Sequence, residues 1–268
     1  MKKTKIAITL EKLKEQSKKA FIPYIMAGDP DIETTMERVM LLEKCGADII
    51  ELGIPFSDPL ADGPTIQQAA GRALKSGTTL RKVIAAVRGL RHHTRIPIIL
   101  MTYYNPVFKY GEELFVKDAI EAGVDGVIIP DLPPEEAGSF IKLSRPSGPG
   151  SGLDTIFLVA PTSTEARIKS IVSACRGFVY YVSITGITGS KLSIDEAFRK
   201  HIDTVKQLAK KPVAVGFGVS TPGEAQTVGR LADGVIVGSA IVKKFHEEPG
   251  NAEGFIKDLR EAINSSNQ

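Results

Sequence analysis

Cysteine is scarce in this chain: Cys45 and Cys175 are the only two among 268 residues. Two thiols so far apart make neither a disulfide framework nor a metal-ligand cluster, so a reducing compartment is expected. Histidine is nearly as rare. His92, His93, His201 and His246 fall in helical contexts, and no pair has metal-ligand spacing with supporting carboxylates, so they read as surface residues and no metal is expected. Long apolar runs are also missing. Residues 6–10 are too short for a signal segment and no stretch approaches bilayer-spanning length, which excludes a membrane protein; the cytoplasm is expected, or a plastid stroma after loss of a transit peptide. Nor is there an excess of one charge: 34 Lys and Arg stand against 31 Asp and Glu. Without a clustered basic face or aromatic stacking motif, nucleic acid is not an expected partner.

What is present is a repeated alternation. Short runs rich in Val and Ile occur at 21–27, 47–52, 96–103, 126–130, 155–160, 178–183, 212–217 and 234–237. Their lack of strict polar alternation suits parallel strands covered on both faces. Amphipathic stretches lie between them, at 31–45, 65–76, 79–92, 111–122, 134–143, 164–174, 194–208, 221–231 and 253–264. Hydroxyl residues followed by acids, as in Ser163-Thr-Glu and Ser220-Thr-Pro-Gly-Glu, open several of these as helices. Eight βα units at this length predict an α/β fold, a (β/α)8 TIM barrel in one domain over 1–268, with an extra N-terminal helix at 10–19. The Pro/Gly-rich segment 144–152 reads as an insertion on the rim away from the site.

In such a barrel the chemistry sits where strands end. The stretch Glu51-Leu-Gly-Ile-Pro-Phe-Ser-Asp-Pro-Leu-Ala-Asp-Gly-Pro-Thr65 ends a strand and becomes a long loop. Glu51 closes an apolar run, where burial should raise its pKa and fit it for general acid and base work. Asp62, in the more polar loop, should stay ionised and hold an N–H or a developing positive charge, or else cap the helix at Pro64. Glycine-bearing loops after the last three strands, Gly186-Ile-Thr-Gly189, Gly216-Phe-Gly-Val-Ser220 and Gly238-Ser-Ala240, offer bare N–H groups where this fold binds phosphate. Tyr24, Tyr103 and Tyr180, near strand ends, can line a pocket for a flat apolar group or simply pack. Asp131 can tie down the Pro133-Pro134 turn.

Together with Phe21-Ile-Pro-Tyr24, Ala27-Gly-Asp-Pro30, Tyr104-Asn-Pro, Pro130-Asp-Leu-Pro and Val237-Gly-Ser-Ala240, these segments make the chain resemble the tryptophan synthase α-subunit family over nearly its whole length. The resemblance implies a lyase that splits indole-3-glycerol phosphate into indole and glyceraldehyde 3-phosphate without a cofactor of its own. It puts the acid/base glutamate at Glu51 and the indole N–H-binding aspartate at Asp62. Tyr24 and Tyr180 become pocket walls, Gly189, Gly218, Gly238 and Ser239 the phosphate site, and Thr188 a residue of a closing loop that orients the aspartate. The implied partner is the pyridoxal-phosphate-dependent β subunit in an α2β2 tetramer, docked on the loop 55–59, Asn105 and Pro133. A free-standing indole-releasing lyase and a non-catalytic phosphate-binding barrel are the alternatives. The segment 144–152 is longer and richer in Pro and Gly than the family's turn, and Ile184-Thr185 departs from residues common in the closing loop.

Overall fold

A computed structural model describes residues 3–145, 152–182, 196–216 and 218–267. Its strands are β1 (Ala20–Met26), β2 (Ile50–Gly53), β3 (Ile98–Met101), β4 (Gly126–Ile128), β5 (Asp154–Ile156), β6 (Leu158–Val159), β7 (Val179–Val182), β8 (Val213–Gly216) and β9 (Gly234–Val237). They pair in parallel in the order β5-β4-β3-β2-β1-β9-β8-β7-β6. The run expected as one strand at 155–160 is thus two, parted only by Phe157. β5 pairs with β4 and β6 with β7, so this single segment changes neighbours and closes the ring. Tyr180 N–H donates to the Phe157 carbonyl at 3.2 Å across the junction. The result is a (β/α)8 barrel whose eight strand positions match the eight apolar runs.

The N-terminal helix covers Lys5–Glu15, earlier than its charge pattern suggested, because Thr4 caps it by accepting from Ala7 N–H. Ile6, Leu10 and Leu13 lie on one face at helical spacing. They pack with Ile22, Ile49, Ile99, Ile128, Ile156 and Ile236 inside the barrel. The helix therefore plugs the end where strands begin. Thr4 also donates to buried Asp154 at 2.7 Å, and Arg176 pairs with that carboxylate at 3.1 Å.

Two helices escaped the sequence reading. Tyr104–Tyr110 is short and carries Pro106 in its first turn, which reads as a loop; Ser239–Glu247 follows directly on β9 behind a glycine. Elsewhere the expected caps form: Thr164 accepts from Arg167 N–H, and Thr221 and Glu224 make a reciprocal capping box. The ends of the Pro/Gly-rich segment meet where Leu153 N–H donates to the Ser144 carbonyl at 2.9 Å; residues 146–151 lie outside the described residues.

Because every strand runs the same way, one rim collects all strand C-termini. The helix Pro64–Lys75, which follows the long loop after β2, is fixed to that rim by a fork: Arg72 Nε and Nη2 donate to the two Asp29 oxygens at 2.7 and 2.8 Å. Arg38 adds a donor to the Asp29 carbonyl. The loop carrying Asp62 is thereby held at both ends by rigid elements.

Candidate active site

Strand parity places the glutamate. Ile50 and Leu52 pack outward in the large core under the helices, while Ile49 belongs to the barrel interior. Glu51 must then face inward, level with Tyr24 of β1 and Ile99 of β3. It is 1% exposed, and neither carboxylate oxygen has a hydrogen-bond partner among the described residues. Burial, and then the charge of Asp62, push its pKa up to about 8. An unpartnered carboxyl in this setting holds its proton at neutral pH.

Asp62 is half-buried. It does not cap the following helix: Gly63 occupies the N-cap, with no side-chain hydrogen bond. The capping alternative is excluded for this side chain. Burial raises its pKa to about 6 against the hydrogen bond from Tyr103, which lowers it. The loop is less polar than its sequence suggested, yet the group remains mostly ionised at pH 7. The Tyr103 hydroxyl also accepts from Ala61 N–H at 2.9 Å, so it grips the backbone beside the aspartate as well. Tyr103 was expected only as a possible pocket wall; its position at the end of β3 was the available signal, but its bond to a loop more than forty residues away in sequence was not.

Tyr24 and Tyr180 are 6% and 3% exposed. Burial, followed by the charges of Asp62 and Glu51, holds the Tyr24 phenol well above its ordinary pKa, and burial, then Glu51, does the same for Tyr180. Both stay neutral hydroxyls beside the glutamate. Gly53 makes this packing possible, since a Cβ there would lie 2.0 Å from the Tyr24 oxygen. Tyr24, Asp62 and Tyr103 line a narrow crevice with Ile54, Met101, Thr102 and Pro130.

Across the rim, Gly218 adopts φ +83, a conformation open to glycine that other side chains rarely take. Gly238 is the N-cap of Ser239–Glu247, and the N–H groups of Ser239 and Ala240 have no acceptor within that helix. A Cβ on Gly238 would sit 3.6 Å from the Tyr24 Cβ, so this helix start adjoins the aromatic pocket. Thr188 and Gly189 lie outside the described residues.

Two expectations need correction. Asp131 does not tie the Pro133-Pro134 turn: its carboxylate accepts from Tyr104 N–H at 2.8 Å and anchors the helix after β3. His201 is not a plain surface residue, because its Nδ1 lies 2.9 Å from the Tyr181 hydroxyl and the ring packs against that tyrosine. Among the described residues no group of His, Cys, Asp and Glu is placed to hold a metal ion, and no helix is long and apolar enough to cross a membrane.

Comparison with known proteins agrees with this geometry. A family model described as tryptophan synthase alpha chain matches residues 10–268. The tryptophan synthase alpha chain of Geotalea uraniireducens is 49% identical over 97% of this chain and 98% of its own length. That of Geobacter sulfurreducens is 48% identical over 97% and 99%. Among solved structures, tryptophan synthase subunit alpha of Legionella pneumophila superposes with a TM-score of 0.89 at 38% identity, covering 98% of this chain and all 100% of that one. A chain of Mycobacterium tuberculosis tryptophan synthase gives 0.90 at 36% identity, covering 98% and 99%. A buried, inward glutamate near an aspartate thus lies in a barrel aligned over nearly its whole length with these proteins, and the chain belongs to the tryptophan synthase alpha chain family.

Proposed function

We propose that Glu51 is the proton-transfer residue and Asp62 the anchor for the indole ring in the lyase reaction of this family. As a member of that family the chain is an enzyme of tryptophan biosynthesis that cleaves indole-3-glycerol phosphate to indole and glyceraldehyde 3-phosphate. The observation that carries the residue assignment is the buried Glu51 carboxyl, its oxygens without a hydrogen-bond partner among the described residues and its pKa raised by burial to about 8. A carboxyl group in that state delivers a proton to indole C3. The ring becomes a cationic indolenine, and ionised Asp62 at the ring N–H stabilises it. The Glu51 carboxylate then takes the proton of the adjacent hydroxyl; the carbon–carbon bond breaks, its electrons return to the ring, and the aldehyde leaves. No covalent intermediate is required.

Tyr24 and Tyr180 shape the slot for the flat ring. Gly218, Gly238 and Ser239, with Gly189 of the loop after β7, would receive the phosphate on main-chain N–H groups and a helix start, and Thr188 of that loop would orient Asp62. Residues 1–268 then serve as one barrel domain needing no cofactor, the pyridoxal phosphate belonging to a partner β chain. Leu60 and Phe108, 86% and 66% exposed, flank the loop 55–59 and Asn105 and support docking of that chain on the same rim. With bacterial relatives, the cytoplasm is the compartment this reading expects.

Glu51→Gln tests the assignment: turnover of indole-3-glycerol phosphate should fall by roughly 10² to 10⁴ while glycerol phosphate still binds. Near-normal turnover would exclude Glu51 as the donor. Gel filtration with a β chain tests the partner, and activity undiminished alone with no complex formed would favour the free-standing lyase.

A further inference from the structure

The rim opposite the active site holds a cleft of about 750 Å³ between the N-terminal helix and the turns that enter β1, β7, β8 and β9. Ligand sites commonly occupy about 300–1,000 Å³. Seven lysines and two carboxylates line it. The sequence shows no such basic face, because the lysines come from segments far apart in the chain and only the barrel brings them together.

Both carboxylates are already engaged: Glu11 pairs with Lys3 at 2.6 Å and Asp233 with Lys206 at 3.6 Å. Helix C-termini gather at this rim and favour cations on their own account. That explains Lys211, whose Nζ donates to the Val172 and Cys175 carbonyls at 2.8 and 2.6 Å, and Lys206, which donates to the Leu231 carbonyl at 3.0 Å. Lys14, in the last turn of the N-terminal helix, and Lys210, directly after Ala209, also lie at helix ends, while Lys18 lies in the turn that enters β1. Lys14 and Lys18 reach the cleft from one segment and Lys210 from another, and none forms an ion pair among the described residues. Lys19 is half-buried between them; burial lowers its pKa, Asp233 opposes this, and the charge of Lys206 lowers it further. Positive charge is crowded here beyond what the protein neutralises.

The geometry points to a second, non-catalytic ligand site in this cleft, one that takes a small anion bearing several phosphate groups. A concave wall with an excess of one sign concentrates counter-ions by about tenfold or more, and three ammonium groups outside any ion pair among the described residues suit several phosphates better than one. Among the described residues no aromatic side chain lines the cleft, whose apolar floor is Ala7, Leu10 and Pro212. Nothing there stacks a base, so recognition falls on phosphate oxygens, which disfavours nucleic acid.

The test is calorimetric titration of the full chain at low ionic strength with inorganic tripolyphosphate. Lys14, Lys18 and Lys210 are exposed, so the combined variant Lys14→Gln, Lys18→Gln, Lys210→Gln should keep its unliganded melting temperature and its turnover of indole-3-glycerol phosphate. One tripolyphosphate should bind per chain, orthophosphate should bind much more weakly, saturating glycerol 3-phosphate should not displace it, and the triple variant should lose roughly tenfold or more in affinity. Lys14→Gln alone should give an intermediate loss. The inference is overturned if tripolyphosphate does not bind, binds the triple variant equally well, binds no better than orthophosphate, or is displaced by glycerol 3-phosphate.

Discussion

Replacing Glu51 by Gln should make the protein more stable at alkaline pH while disabling it. The folded pKa of Glu51 is about 8 against an ordinary 4.5. Between those values the folded state binds a proton that the unfolded chain has released, so stability falls as pH rises through this window and levels off above pH 8. At ~1.4 kcal/mol per pH unit, the whole window sets an upper limit of about 5 kcal/mol on the cost of ionising this side chain in place. Glutamine has nearly the same shape and no charge to lose. Chemical denaturation of wild type and Glu51→Gln at pH 5, 7 and 9 reads the difference directly. The two should be nearly equal at pH 5, and the variant should lead by a few kcal/mol at pH 9. Identical stability at all three values would mean that Glu51 is solvated or paired in solution. Its carboxyl would then lack the raised pKa that an acid at neutral pH needs.

The same two titrations shape the rate. Cleavage needs protonated Glu51, at about 8, and ionised Asp62, at about 6, so kcat/KM should be bell-shaped between those values, and a profile flat from pH 5 to 9 would contradict the assignment. Tyr103→Phe removes the hydrogen bond that lowers the Asp62 pKa and should move the acid limb of that profile upward; an unmoved limb would show that Tyr103 does not support the aspartate. Gly238→Ala puts a methyl group at the helix start where a Cβ meets nothing closer than 3.6 Å, so the fold should survive, and KM for substrate should rise more than kcat falls. Arg72→Gln leaves Asp29, 3% exposed, without its fork and should cost about 3 kcal/mol in denaturation experiments.

The barrel was legible in the sequence because its cause is local. Eight Val/Ile runs, each needing cover on both faces, and caps such as Thr164 and Thr221 are written in neighbouring residues. Period, caps and Gly/Pro punctuation suffice to order such elements. The boundaries that shifted did so where tertiary contacts intervened. The N-terminal helix starts at Lys5 behind the Thr4 cap, whose hydroxyl is also held by Asp154, 150 residues away, and the fifth strand splits at Phe157 because its two halves have different neighbours.

Glu51 also stood out early, since a carboxylate ending an apolar run costs too much to bury without a use. The residues alone left Asp62 open between capping a helix and chemistry. Only the folded loop, with Gly63 at the N-cap and Tyr103 at the carboxylate, removed the first option. Sequence by itself determined which elements form and which acid ends up inside, because periodicity and desolvation act along the chain. Tertiary structure decided what surrounds each charge: the tyrosine on Asp62, the burial of Glu51 beside Tyr24 and Tyr180, and the lysines gathered at the far rim. Those depend on distances between residues that the chain keeps far apart and only the closed ring of strands brings together.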